Sequence, residues 1–135
     1  MFNKYLAKIL AKDIQGLKLI SAYCFQAKVR ISELIYLKKN QIFLIFLQRF
    51  NRENKKNNEK IKSVCKFEFI EFVKSKNIDQ NNKDLVLELL AIDLIKNKDK
   101  FEISLIFSNN CFITLSTEVV EVTLEDQNKI RWLKY

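Results

Sequence analysis

Phe101, Ile103, Leu105 and Phe107 stand at alternate positions with Glu102 and Ser104 between them. An extended chain sends successive side chains to opposite faces, so this spacing builds a strand with one dry and one wet side. Val120, Val122 and Leu124 repeat the pattern against Glu121, Thr123 and Glu125. A period of two cannot line one side of an α-helix, and it recurs through most of the chain. The dominant architecture is therefore sheet.

Two segments, Ile42 to Phe50 and Leu85 to Ile95, are apolar on both parities, which predicts central strands covered on both faces. Along Phe67-Glu68-Phe69-Ile70-Glu71-Phe72-Val73 the apolar phase slips by one at Ile70, as a β-bulge or sharp bend requires. Between Lys12 and Lys28 the period changes. Ile14, Leu17, Ile20, Cys24 and Ala27 recur at spacings of three and four behind Asp13, a competent N-cap, and predict one amphipathic helix over about 13–27.

The order is then a short strand, a helix, and six or seven further strands. With no alternation of strand and helix, the sheet must be antiparallel, and the fold class is α+β. A curled sheet over the helix or a split barrel satisfies these elements, and a pleckstrin-like barrel is one such form by analogy. The chain has 135 residues, 48% of them hydrophobic, enough for one domain over 1–135 that buries roughly 68% of its unfolded surface. One Gly and no Pro leave the turns to residues that tolerate positive φ, of which Asn is the least strained. Asn40, Asn57-Asn58, Asn81-Asn82, Asn97 and Asn109-Asn110 fall where the apolar patterns stop.

The longest apolar run, Ile42 to Leu47, is about a third of a membrane-spanning helix. Lys4 and Lys8 interrupt Met1 to Leu10, which lacks the continuous apolar stretch of a secretory signal. Tyr5 to Lys12 reads as a first structural element, the alternative being a basic membrane-surface helix or import presequence. Cys24, Cys65 and Cys111 are odd in number, far apart and set among apolar neighbours. Reduced, buried thiols in the cytoplasm are expected.

Histidine is absent, which removes Ser-His-Asp and Cys-His nucleophile pairs, the usual proton shuttle near neutrality and His-containing zinc sites. A lone Gly16 excludes Gly-rich phosphate loops and dinucleotide fingerprints. Ser63-Val64-Cys65-Lys66 has the Ser-x-x-Lys spacing of some acyl-transfer enzymes, but it begins a strand on which the two side chains diverge. Glu118 with Glu121, and Glu125 with Asp126, lie on faces expected to be solvated. No catalytic residue, metal ligand or cofactor is implied.

The net charge is +8, and its excess is N-terminal. Residues 1–50 carry nine basic and two acidic side chains, and 51–62 carry five and two, whereas acidic residues match or outnumber basic ones thereafter. Residues 51–60 hold no apolar side chain and read as a solvated loop between strands. A nucleic-acid surface would draw on Lys38, Lys39, Arg49, Arg52, Lys55, Lys56, Lys60 and Lys62, around a hairpin and its loop 51–62. Phosphate contacts need only such cations, whereas single-strand recognition adds aromatic platforms that the loop lacks. The abundance of Lys and Asn beside scarce Gly and Pro also fits a bias in base composition, unrelated to any ligand.

Four stretches, taken in order, resemble a family of short bacterial proteins known as domain-of-unknown-function family 2948. They are Leu19-Ile20-Ser21-Ala22-Tyr23 with Gln26-Ala27, Glu33-Leu34-Ile35-Tyr36-Leu37, Val73-Lys74-Ser75-Lys76-Asn77-Ile78-Asp79, and Leu87-Glu88-Leu89-Leu90-Ala91-Ile92. Order and spacing agree from about Leu10 to Asp126. Asn77 stands where the family usually has Gly, an exchange that a left-handed turn accepts, and Lys38 stands where Pro often follows Tyr-Leu. The resemblance implies a cytoplasmic bacterial protein and supplies no activity, cofactor or catalytic residue. The reading that follows is a non-catalytic interaction or accessory module with a protein partner. Nucleic-acid binding through the basic half is the alternative, and a histidine-free enzyme the third.

Overall fold

A computed structural model describes residues 6–51 and 59–127. Its elements, in chain order, are β1 (Lys8–Ala11), α1 (Ile14–Tyr23), β2 (Ala27–Arg30), β3 (Leu34–Leu37), β4 (Ile42–Phe50), β5 (Lys60–Phe67), β6 (Ile70–Lys76), β7 (Val86–Asn97), β8 (Lys100–Phe107), β9 (Cys111–Thr117) and β10 (Val122–Asp126). Short 3-10 turns, Ile31–Glu33 and Lys38–Asn40, precede β3 and β4.

The strands form one antiparallel sheet in the order β1-β10-β5-β4-β2-β7-β8-β9-β6. The class is α+β, as the alternation required, and the sheet is not closed into a barrel. Nine strands follow the helix among the described residues, more than the six or seven expected, because β2 and β3 are only four residues each. Both lie along the same side of β4. β3 covers Ile42 to Ile45, and β2 touches β4 at Lys28 opposite Gln48. The 3-10 turn at Ile31–Glu33 lets the chain step from one to the other.

Inward residues follow the alternation. Phe43, Ile45 and Leu47 on β4, Cys65 and Phe67 on β5, Ile103, Leu105 and Phe107 on β8, and Val122 and Leu124 on β10 are all buried. Leu17 and Ile20 of α1 close over them without exposure. Asp13 caps this helix, its Oδ1 accepting the Gly16 N–H at 2.8 Å. The helix ends at Tyr23 rather than near residue 27. Gln26 takes a positive φ of 65° and its N–H reaches the Leu89 carbonyl at 2.7 Å, so Ala27 joins the sheet, buried there as it would have been on the helix.

Neither doubly apolar segment is covered on both faces. β4 is central in the order, but its outward residues Leu44 and Phe46 are only half-buried. On β7 the pairing register shifts between Leu89 and Ala91. The inward set therefore passes from Leu87 and Leu89 to Ile92. Apolar residues of both parities there reflect a bulge at Leu90, not a second covering layer.

The phase slip at Ile70 marks a real bend. Phe69 adopts φ 60°, and the register of β6 against β9 shifts between Ile70 and Phe72. The bend carries the chain from the middle of the sheet at β5 to its far edge at β6. Asn77, Asn109 and Asn110 have positive φ, as expected of turn residues, but Gln26, Gln41, Phe69 and Lys98 share that conformation. Asn97 ends β7 while Lys98 carries the turn. Asn57 and Asn58 lie outside the described residues, as do Met1 to Tyr5.

Candidate functional site

Asp126, assigned to a solvated face from sequence, is the centre of a buried polar cluster. Its inward position continues the parity of Val122 and Leu124. Arg49 likewise continues the parity of Phe43, Ile45 and Leu47 on β4. The guanidinium meets the carboxylate twice, Nε to Oδ1 at 2.8 Å and Nη2 to Oδ2 at 2.6 Å, with neither side chain exposed. Ser63 on β5, between these strands, donates to Oδ1 at 2.6 Å, and the Ala7 N–H donates to Oδ2 at 2.7 Å. Arg49 also lies over the Tyr23 ring, 5.1 Å from its centroid.

Burial alone would raise the Asp126 carboxyl. The hydrogen bonds from Arg49, Ser63 and Ala7, with the Arg49 charge, outweigh it and hold the carboxyl below its ordinary 3.8. A carboxylate so fully satisfied is a tie between segments, poorly disposed to move protons. The neighbouring thiols are equally quiet. Burial, partly offset by Arg49 and reinforced by Asp126, pushes Cys24 up to about 12. Burial and the nearby Cys24 raise Cys65 well above its usual range. Both stay protonated near neutrality, where nucleophilic chemistry needs thiolate. All three cysteines are free and buried. Ser63 and Lys66 diverge on β5, Ser63 inward and Lys66 half-exposed on the outer face.

The eight basic residues singled out from sequence do not form one surface. Arg49 is enclosed in the interior and unavailable to a polyanion. Lys38 and Lys39 are exposed on the turn before β4. Lys60 and Lys62 open β5 at the opposite end of β4, opposite Phe50 and Gln48. They are therefore strand residues and not part of the loop. Six residues of β4, Ile42 to Leu47, lie between that turn and the position opposite Lys62, a span of about 20 Å. Arg52, Lys55 and Lys56 lie outside the described residues.

Two open pockets flank the sheet. One, of about 560 Å³, lies where β2 leaves β4, and it gathers Lys28, Arg30, Lys62, Gln48 and Glu33. Lys28 Nζ there is 2.6 Å from Glu88, and Glu33 accepts the backbone N–H of Arg30 at 3.0 Å. The other, of about 360 Å³ and mainly apolar, is bounded by Asp13, Leu94, Phe101 and Val120. Among the described residues, no group of three His, Cys, Asp or Glu is placed to hold a metal ion, and no helix is long and apolar enough to cross a membrane.

Three of the exposed apolar side chains lie elsewhere. Phe69, Phe72 and Val119 are 46%, 62% and 51% exposed. Thr117 Oγ1 lies 2.8 Å from the Phe69 carbonyl and 2.6 Å from that of Val119, which brings those two segments together. Phe72 is opposite Ser116 on β9. The three residues thus cluster at the β6 edge of the sheet. Sequence shows that Phe69 and Phe72 flank a bend, but not that the bend delivers the chain to the last strand of the sheet among the described residues.

The sequence model of a family described as "Protein of unknown function (DUF2948)" matches residues 7–133. No curated protein and no solved structure matches the chain.

Proposed function

The chain belongs to the DUF2948 family of proteins of unknown function, and within that family we propose that it acts as a non-catalytic interaction module whose partner is a protein. The observation that carries this reading is the apolar cluster of Phe69, Phe72 and Val119 on the β6 edge. Contiguous exposed apolar surface on a folded domain marks association with other proteins, whereas a polyanion partner calls for a continuous cationic stripe. Of the cations singled out from sequence, the exposed ones described fall into two groups at different positions along β4, and Lys28 of the larger pocket is paired with Glu88. The protonated thiols and the locked Asp126 carboxylate support a role without chemistry. Three buried free thiols suit a reducing compartment, so the setting we infer is the bacterial cytoplasm.

The test is purification of the tagged full chain at native abundance, with nuclease treatment and identification of whatever copurifies. A protein recovered reproducibly and retained after nuclease supports the reading. Recovery of RNA or DNA, lost steeply as salt rises, would replace it with polyanion binding. Recovery of no reproducible protein would overturn it.

A further inference from the structure

We propose that the free edge of β6 receives an extended, carboxylate-bearing segment of a protein partner by strand addition. This assigns a surface and a partner chemistry to the interaction module above and rests on that reading. Among the described residues β6 is the last strand of the sheet and pairs only with β9. Its beginning is occupied, because the Ile70 N–H reaches the Gln41 carbonyl at 2.8 Å and the Tyr36 hydroxyl donates to the carbonyls of Ile70 and Glu71. The stretch open to a new strand runs from Phe72 to Lys76.

Phe72, Lys74 and Lys76 stand opposite Ser116, Thr114 and Phe112. These β9 residues alternate with buried Thr117, Leu115 and Ile113, so all six point outward. The edge thus shows an aromatic ring followed by two exposed cations on one face. Lysines on an edge strand commonly discourage unwanted pairing. Protection alone does not account for Phe72, the most exposed large apolar side chain described, nor for Phe69 and Val119 beside it.

Charge decides between a second copy and a different chain. Antiparallel self-pairing about Val73 would set Lys74 opposite Phe72 and on the diagonal to its own counterpart, a like-charge contact that opposes pairing. Glu71, the one acidic side chain of β6, is already engaged by Lys100 at 3.1 Å. The complementary strand carries Asp or Glu over Lys74 and Lys76 and an apolar side chain over Phe72, with main-chain hydrogen bonds supplying the rest of the attachment.

The experiment measures residue-resolved amide exchange in the full chain with three synthetic peptides of about eight residues, a length typical of strands. One carries Glu at the two same-face positions that meet Lys74 and Lys76, Val at the next same-face position, which meets Phe72, and Val or Thr on the other face; one replaces Glu by Lys, and one is the Glu peptide with prolines that prevent pairing. Slowing of exchange across Phe72–Lys76 by about tenfold with the Glu peptide alone is the expected result. In the double variant K74E/K76E the preference should reverse to the Lys peptide, a gain that misfolding cannot imitate. Unchanged β6 exchange with the Glu peptide, or protection that appears at β1 instead, would sink the proposal. A copurifying protein that binds K74E/K76E as well as the parent would remove the β6 assignment while leaving the interaction reading in place.

Discussion

Asp126 on β10 receives the Arg49 guanidinium of β4 through both carboxylate oxygens, across the intervening strand β5, with neither side chain in contact with water. Ser63 of β5 and the N–H of Ala7 complete the cluster. Four separate segments thus meet at one carboxylate. Such a pair specifies a register well but stabilises weakly, because both ions have left water to make it.

Removing one partner should therefore cost far more than removing both. Arg49→Met leaves a buried anion, and Asp126→Leu leaves a buried cation, each destabilising by about 3–5 kcal/mol. The double variant R49M/D126L leaves no buried charge, only the donors of Ser63 and Ala7 without an acceptor, at about 1–3 kcal/mol. Denaturant midpoints of the four proteins test this. Single and double losses that simply add would refute a coupled pair.

The same carboxylate predicts an acid-sensitive step. Asp126 has a folded value below its ordinary 3.8, so the unfolded chain binds the proton first as pH falls. Its contribution is complete above the ordinary range and declines through 3.8 toward the depressed folded value. Stability of the parent should fall more steeply than that of R49M/D126L below about pH 4. Parallel acid limbs for the two proteins would show that Asp126 is not the group responsible.

Gly16 sits inside α1, where alanine is ordinarily the better helix former by about 1 kcal/mol. A Cβ at Gly16 would lie 2.9 Å from both Cα and Cβ of Ala11, in β1, closer than such atoms approach. Backbone of one element must shift against the other. Gly16→Ala should therefore show a net loss of about 1–2 kcal/mol, overpacking outweighing propensity. A thermal midpoint equal to or above the parent's would contradict that contact.

These sites also show where the sequence was legible. Alternation exposed the inward faces of β8 and β10 because each runs with an unbroken register. The bend before β6 was visible because Phe69 and Ile70 break phase within one strand-length. At Leu90 the bulge had the same cause, but a continuous apolar run hid it and imitated a doubly covered strand. Arg49 and Asp126 each carried the sign of burial, an inward parity among apolar neighbours. Their partnership was invisible because it joins residues 77 apart in the chain. The β6 edge depended on the same kind of information, since strand order is set by pairing between distant segments.

The hairpin between β7 and β8 is closed by Asn97 opposite Lys100, with Lys98 and Asp99 forming a two-residue loop. Two-residue hairpin loops favour glycine where φ is positive, because a Cβ there meets the following carbonyl. Lys98 holds φ 56°, and its side chain is exposed, so truncation removes no buried contact. Lys98→Gly relieves strain of about 1–2 kcal/mol, partly offset by the greater freedom glycine gives the unfolded chain. A net gain of about 0.5–1 kcal/mol is expected in denaturant unfolding. Lys98→Val, β-branched and poorly suited to this conformation, should lose stability instead. Equal midpoints for the glycine and valine variants would mean that the turn imposes no left-handed residue at this position.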